Sequence, residues 1–323
     1  MKLSLFILLT FSLFFSACSQ KRITVSSLHP GVIDKKYHTI KLSNFLNDNI
    51  NQKAYLEEKL ANKVINGQKI FNISYDNNTD VILRGEVLES SINYFLYYDE
   101  RIDYNRCKRY KDIKKNKKRV CKEYRIIRIP CEQRDYKVAT KIDMLNPQNN
   151  SLIFSKIYTS THNKDVCFRN YSRHGHFFHS NLPKDKYEIN SMLAKRISNQ
   201  IIEDISPHYA YFNVELMTSL DDERIKYNDL LEDEFDLIIE LLLEGHIKKA
   251  KEKLQKFDAR SVEALYNLAL VYEYENKLED ANSLYKQAYK MTNNNDYLSL
   301  ITQAINRTQI NLEEKIKAKS LLP

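Results

Sequence analysis

Glycine is scarce in this chain: five occur among 323 residues, at Gly31, Gly67, Gly85, Gly175 and Gly245. Standing singly, they can form neither a phosphate-cradling loop nor a dinucleotide fingerprint, since both need closely spaced glycines. No nucleophile elbow of the G-x-S-x-G type occurs either. Tryptophan is absent, and no apolar run of spanning length, about 20 residues, appears anywhere. These absences disfavour the motif-bearing enzyme classes. The expectation is a non-enzymatic protein, with no catalytic residue named and no cofactor implied.

What is present begins with "MKLSLFILLTFSLFFSACSQ". Lys2 supplies a short positive region, and Leu3 to Phe15 is an apolar run of signal-peptide length. The small residues Ser16 and Ala17 then precede Cys18. This resembles the bacterial lipobox. The resemblance implies removal of residues 1–17 and acylation of Cys18, palmitate included, so that the body is held to a membrane by lipid. Ser19 stands where an Asp would favour retention at the inner membrane, so the resemblance implies the outer membrane, facing the periplasm.

The formal charge is +8, but it is local. Between Cys107 and Cys121, "CKRYKDIKKNKKRVC" carries eight Lys or Arg against one Asp, and once Lys2 is removed the rest of the chain is formally neutral. An exported chain has little access to nucleic acid, so none is expected as a partner. Lys114, Lys115, Lys117, Lys118 and Arg119 suit an anionic envelope component instead: an acidic polymer, lipid headgroups or an acidic protein. A purely solubilising loop is the plainer alternative.

Besides Cys18 there are four cysteines, and an oxidising compartment favours their pairing. A turn at "PQNN", centred near position 149, places Cys131 opposite Cys167; Cys107 and Cys121 meet at the neck of the basic loop. The expected disulfides are therefore 107–121 and 131–167. No C-x₂₋₄-C pair exists, which disfavours a zinc site. His174, His176 and His179 in "RHGHFFHS" have no acidic neighbour and read as a solvated loop in preference to a metal site. The aromatics of "YFLYYDE" read as sheet packing.

Residues 18–36 read as a polar tether and 37–217 as an α+β domain. "KKYHTIKLSNF" and "IFNISYD" read as strands flanking a helix over "AYLEEKLANKVINGQ", which Gly67 would stop. Residues 80–107 then read as one long strand or a bent pair and 120–145 as its partner, with Val138, Thr140, Ile142 and Met144 alternating against Lys137, Lys141 and Asp143. "SLIFSKIYTST" is a further strand. "KYEINSMLAKRISNQIIEDI" is a helix with Ile189, Leu193, Ile197, Ile201 and Ile205 on one stripe, and "YAYFNVELM" is the last strand. A mixed sheet with two helices on one face satisfies both stripes. "NTDVILRGEV" and "KIDMLNPQNNSLIFSKIYT" resemble segments of the fold shared by the curli-secretion lipoprotein, the lipoprotein activators of penicillin-binding proteins and the amino-terminal domain of TolB. The cysteines and the basic loop depart from that pattern.

From residue 218 to 323 the chain becomes helical throughout. "VEALYNLALVYEYENKLEDANSLYKQAYKMTNN" resembles the 34-residue tetratricopeptide repeat. Leu265, Leu268, Ala269, Tyr272, Ala281, Tyr285 and Ala288 stand at its packing positions, and Asn276 replaces the turn glycine. "LIIELLLEGHIKKAKEKLQKF" resembles a degenerate repeat with Gly245 in the turn and Ala250 at the small position. "IKYNDLLEDEF" and "YLSLITQAINRTQINLEEKIKA" are expected as capping helices. The resemblance implies a concave face that grips a protein segment. The functional expectation is a lipid-anchored scaffold or adaptor; the competing one is a subunit of an envelope secretion or flagellar assembly.

Overall fold

The computed structural model describes residues 21–76, 78–112, 119–167, 182–221, 228–257 and 261–323. The chain forms two compact units: Val32–Ser206, and a second in which the stretch up to Gly31 joins Pro207–Leu322. No helix among the described residues is long and apolar enough to cross a membrane.

The first unit is built on a five-stranded mixed sheet. Its strands are β2 (Thr39–Leu42), β5 (Asn72–Ile73), β6 (Val81–Asp112), β7 (Arg119–Leu145) and β8 (Leu152–Cys167), in the order β5-β2-β6-β7-β8. β2 runs parallel to both of its neighbours, whereas β6, β7 and β8 form an antiparallel meander. Alternation decides which face is covered. Val138, Thr140, Ile142 and Met144 of β7 are buried and Lys137 is exposed, but Lys141 is half-buried. Asp143, expected outward, is buried with its carboxylate held by Ser155 Oγ (2.7 Å) and Arg84 (3.3 Å). Helices α1 (Gln52–Ala61) and α2 (Leu182–Ile205) share the buried side. Leu193, Ile197 and Ile201 form the apolar stripe of α2, with Ile205 buried and Ile189 half-buried beside them. Gln52 ties the layers together: its Nε2 donates to Ala194 O (3.0 Å) and Ser198 Oγ (2.8 Å), and its Oε1 accepts from Thr140 Oγ1 (3.2 Å). Gly85 is required by packing, since a Cβ there would lie 2.4 Å from the Phe45 ring. Asp80 fixes the sheet start by accepting from the His38 and Thr39 amides.

Several expectations change. The first helix stops at Ala61, not near Gln68, because Asn66 and Gly67 take left-handed backbone (φ 52° and 80°) and turn a small hairpin. That hairpin pairs β3 (Val64–Ile65) with β4 (Gln68–Lys69). Asn-Gly favours this turn because both central residues need positive φ. The tether is shorter than 18–36: Arg22–His29 is a strand, β1. The final strand, β9 (His208–Glu215), pairs antiparallel with β1 and leaves the mixed sheet, so the boundary near 217 moves to 206–207.

In the second unit the β1–β9 ribbon packs with α3 (Asp229–Leu243), α4 (Ile247–Leu254), α5 (Val262–Tyr274), α6 (Leu278–Met291) and α7 (Asn295–Ser320). Of the segment expected as a capping helix over 225–235, Asp229–Phe235 forms the start of α3, and residues 225–227 lie outside the described residues. Each helix packs on the next in sequence. The α3–α4 and α5–α6 turns are equivalent in detail. Gly245 (φ 80°) and Asn276 (φ 60°) occupy the left-handed position, and His246 N→Leu241 O (2.8 Å) matches Lys277 N→Tyr272 O (2.9 Å). Asn tolerates this conformation better than most side chains. Ala250 and Ala281 then hold equivalent positions one turn into the following helix, both fully buried.

Candidate functional site

The inner face of the helical unit is the first candidate, because that is where the sequence pattern expects a gripped segment. Of the seven packing residues, Ala269, Ala281, Tyr285 and Ala288 lie in the buried core, with Leu265, Leu268 and Tyr272 half-buried against it. Ser261 caps α5, its Oγ accepting from Ala264 N at 3.1 Å. The cap and the 3.6-residue period then put Glu263, Tyr266, Asn267 and Leu270 on one face of α5.

That face is already filled. Ile23 and Val25 of β1, with Val214, Leu216 and Met217, share one apolar core with Phe235, Ile238, Leu242, Ala269 and Leu270 of α3 and α5. Beyond β9 the chain runs along α5, and α5 side chains hold its main chain. Tyr266 OH donates to Glu215 O (3.1 Å). Asn267 accepts from Met217 N (3.1 Å) and donates to Met217 O (2.7 Å). Glu263 accepts from Asp221 N (3.0 Å) and also from Tyr297 OH of α7 (3.0 Å). A bidentate carboxamide of this kind reads backbone whatever the side chain, since every non-proline residue offers the same donor and acceptor. The face expected to take a partner's segment therefore carries the chain's own, residues 215–221, together with the ribbon.

Beside this clamp, buried Glu273 is paired with a half-buried arginine. Arg307 of α7 makes a two-pronged contact with Glu273 of α5, Nε to Oε1 and Nη2 to Oε2, each 2.8 Å. Tyr285 OH donates to the same carboxylate at 3.0 Å. Burial pushes the Arg307 pKa down, but the Glu273 hydrogen bonds and charge outweigh it and hold the guanidinium firmly ionised. The Tyr285 hydroxyl is pushed well up, first by burial and then by the Glu273 charge, so it stays a donor. Sequence reasoning missed Glu263, Asn267, Glu273 and Arg307. For the first three the signal was present: in "VEALYNLALVYEY", polar residues interrupt an otherwise apolar helix.

The second candidate is a two-stranded arm. β8 ends where Cys167 faces Cys131, and beyond that point, among the described residues, β6 and β7 pair only with each other, with register breaks between Asp103 and Tyr110, out to Asp112 opposite Arg119. Both strand pairs are closed by disulfides, Cys131–Cys167 and Cys107–Cys121, with Cα atoms 4.1 and 5.6 Å apart. Lys108 and Arg109 both pair with Glu123 across the arm, and Arg128 with Glu100 (2.8 Å). Asp99 lies beside the Cys131–Cys167 disulfide, but disulfide sulfurs are no thiolates and this group is no metal site. At the base, Arg134 is buried between Glu132 (2.9 Å) and Asp185 of α2 (2.5 Å). The aromatics expected as sheet packing divide: Tyr97 is half-buried, but Tyr94, Phe95 and Tyr98 are exposed. Replacing Cys107 and Cys121 with Ser should cost about 3 kcal/mol for a loop of this length. Chemical denaturation of the oxidised and substituted chains checks this, and non-reducing peptide mapping should recover the two linked pairs.

Cys18, Lys114, Lys115, Lys117, Lys118, His174, His176 and His179 lie outside the described residues. Arg119 is the first residue of β7, at the far end of the arm.

No family model matches the sequence, and no curated protein matches it. Among solved structures, similarity is found to a minor lipoprotein from Acinetobacter baumannii at 14% identity, covering 52% of this chain and 92% of that one, TM-score 0.27. A DUF330 protein from Xanthomonas campestris is similar at 6% identity, over 53% and 84% of the two chains, TM-score 0.26. A PelC dodecamer from Paraburkholderia phytofirmans is similar at 12% identity, over 55% and 98%, TM-score 0.22. At TM-scores this low the functional reading rests on the residues of the chain itself.

Proposed function

We propose that the chain is a lipid-anchored envelope scaffold whose tetratricopeptide-like helices grip, within the same molecule, the ribbon that leads to the anchor. The observation that carries this reading is the α5 clamp on residues 215–221, with Leu216 N donating in turn to Lys21 O (2.9 Å) just before β1. Only residues 19–21 separate Cys18 from β1. Four residue steps span at most about 14 Å, so acylated Cys18 keeps the helical unit close to the headgroups of an envelope membrane, the outer membrane by the lipobox reading. With the inner face occupied, a protein partner is met by the surfaces left free: the outward sides of α6 and α7 and the arm.

Two measurements test this. Cys18→Ala should abolish acylation and release the protein from membrane fractions; unchanged retention would overturn the anchor. Crosslinking in cells followed by mass spectrometry should link a second protein to lysines such as Lys286 and Lys290 of α6. Absence of any intermolecular link would overturn the scaffold.

A further inference from the structure

We propose that the arm beyond Cys131–Cys167 is a docking surface for an anionic lipid surface, one that seats apolar side chains below a layer of negative charge. Three observations converge on it.

The first is charge. The described residues of the arm, 97–112 and 119–129, hold nine Lys or Arg against five Asp or Glu. Among the described residues, Lys111, Lys122 and Arg125 are exposed on its two strands. A net charge this concentrated repels a second copy of the arm and favours an anionic occupant.

The second is an apolar patch interleaved with those charges. Ile102 and Ile126 face each other across the strands, 52% and 65% exposed. The Tyr104 ring meets the Tyr124 ring at 5.1 Å, and Tyr104 is 71% exposed. β7 runs without a bulge from Ile126 to Met144, so Ile126 keeps the parity of Val138 and Thr140. The face that α1 and α2 cover at the base thus continues onto the arm with its apolar side chains open. Tyrosine and isoleucine among Lys and Arg stems make up a membrane-interfacial surface: rings and stems enter the acyl boundary while hydroxyls and charges remain with the headgroups.

The third is extent. From Tyr97 to Asp112 the strand pair runs about 50 Å; Cys107–Cys121 cross-links it near the tip, and Cys131–Cys167 ties its base to β8. The ladder is irregular between Asp103 and Tyr110, but a strand pair tied at its base and tip still loses less freedom on docking than a free loop.

This inference does not need the lipid anchor, and the test keeps the two apart. The chain bearing Cys18→Ser, which cannot be acylated, is floated with vesicles of phosphatidylglycerol and phosphatidylethanolamine, or of phosphatidylcholine alone. The chain should float with the anionic vesicles only, and binding should fall at least tenfold between 0.1 and 0.5 M salt, as screening requires. Changing Ile102, Tyr104 and Ile126 together to Ser should weaken binding roughly tenfold with an unchanged thermal midpoint, since all three are exposed. Changing Lys111, Lys122 and Arg125 to Gln should flatten the salt dependence. Equal flotation with neutral vesicles would overturn the proposal. So would native-strength binding by the Ser variant. Equal binding of native and Ser variant to soluble polyglutamate, with no vesicle binding, would assign the arm to an acidic protein and overturn it likewise.

Discussion

Ala281→Arg should unfold the helical unit's packing at a cost of about 4 kcal/mol. Ala281 is fully buried on α6 at the small position where α6 meets α5. An arginine there forces a long stem into a filled space and buries a charge with no carboxylate arranged for it, since Glu273 is already committed to Arg307 and Tyr285. Because β1 and β9 share the same core, the ribbon should loosen with the helices, and proteolysis should reach the 215–221 segment. The Val32–Ser206 unit has its own core and should keep its transition. Ala281→Gly is the control: it adds no bulk and should cost about 1 kcal/mol, the helix-propensity difference alone. An Arg variant with the Gly variant's midpoint would contradict the packing described here.

Asn267→Ala should cost a similar amount, about 4 kcal/mol, through a different mechanism. The substitution leaves the buried Met217 N–H and C=O without partners, and each orphaned buried polar group costs about 1–3 kcal/mol. Asn267→Asp separates the two bonds: it keeps an acceptor for the amide, loses the donor to the carbonyl and places a charge in the core. Both variants should lower the unfolding midpoint of the helical unit in denaturant. If Asn267→Ala were neutral, the clamp would be a bystander and the ribbon would be held by apolar contact alone.

Much of this was legible in the sequence where the signal is local and periodic. The alternation of Val138, Thr140, Ile142 and Met144 marked the covered face. A turn near position 149 implied the facing of Cys131 and Cys167, and the β7–β8 ladder has that register. The small residues Ala269, Ala281 and Ala288 marked the helix contacts. The misreadings came where two signals competed or where no local signal existed. The helix expected over "AYLEEKLANKVINGQ" ran across Asn66-Gly67, although the dipeptide was the stronger statement about the backbone. β1 reads as tether in the sequence because its partner β9 follows only after the whole Val32–Ser206 unit, and nothing near "RITVSSLH" announces that pairing. The filled inner face was hidden for the same reason: repeat positions reveal how helices pack on one another, but not what lies across them.

The most direct test is amide hydrogen exchange at Leu216 and Met217, measured on the isolated chain and again in native envelope membranes. If the inner face is filled by the chain itself, both amides should be as protected as the α5 core amides in the isolated protein, and the membranes should change nothing. Rapid exchange in isolation, slowing only when the envelope's other proteins are present, would mean that the groove waits for a partner and would contradict the account.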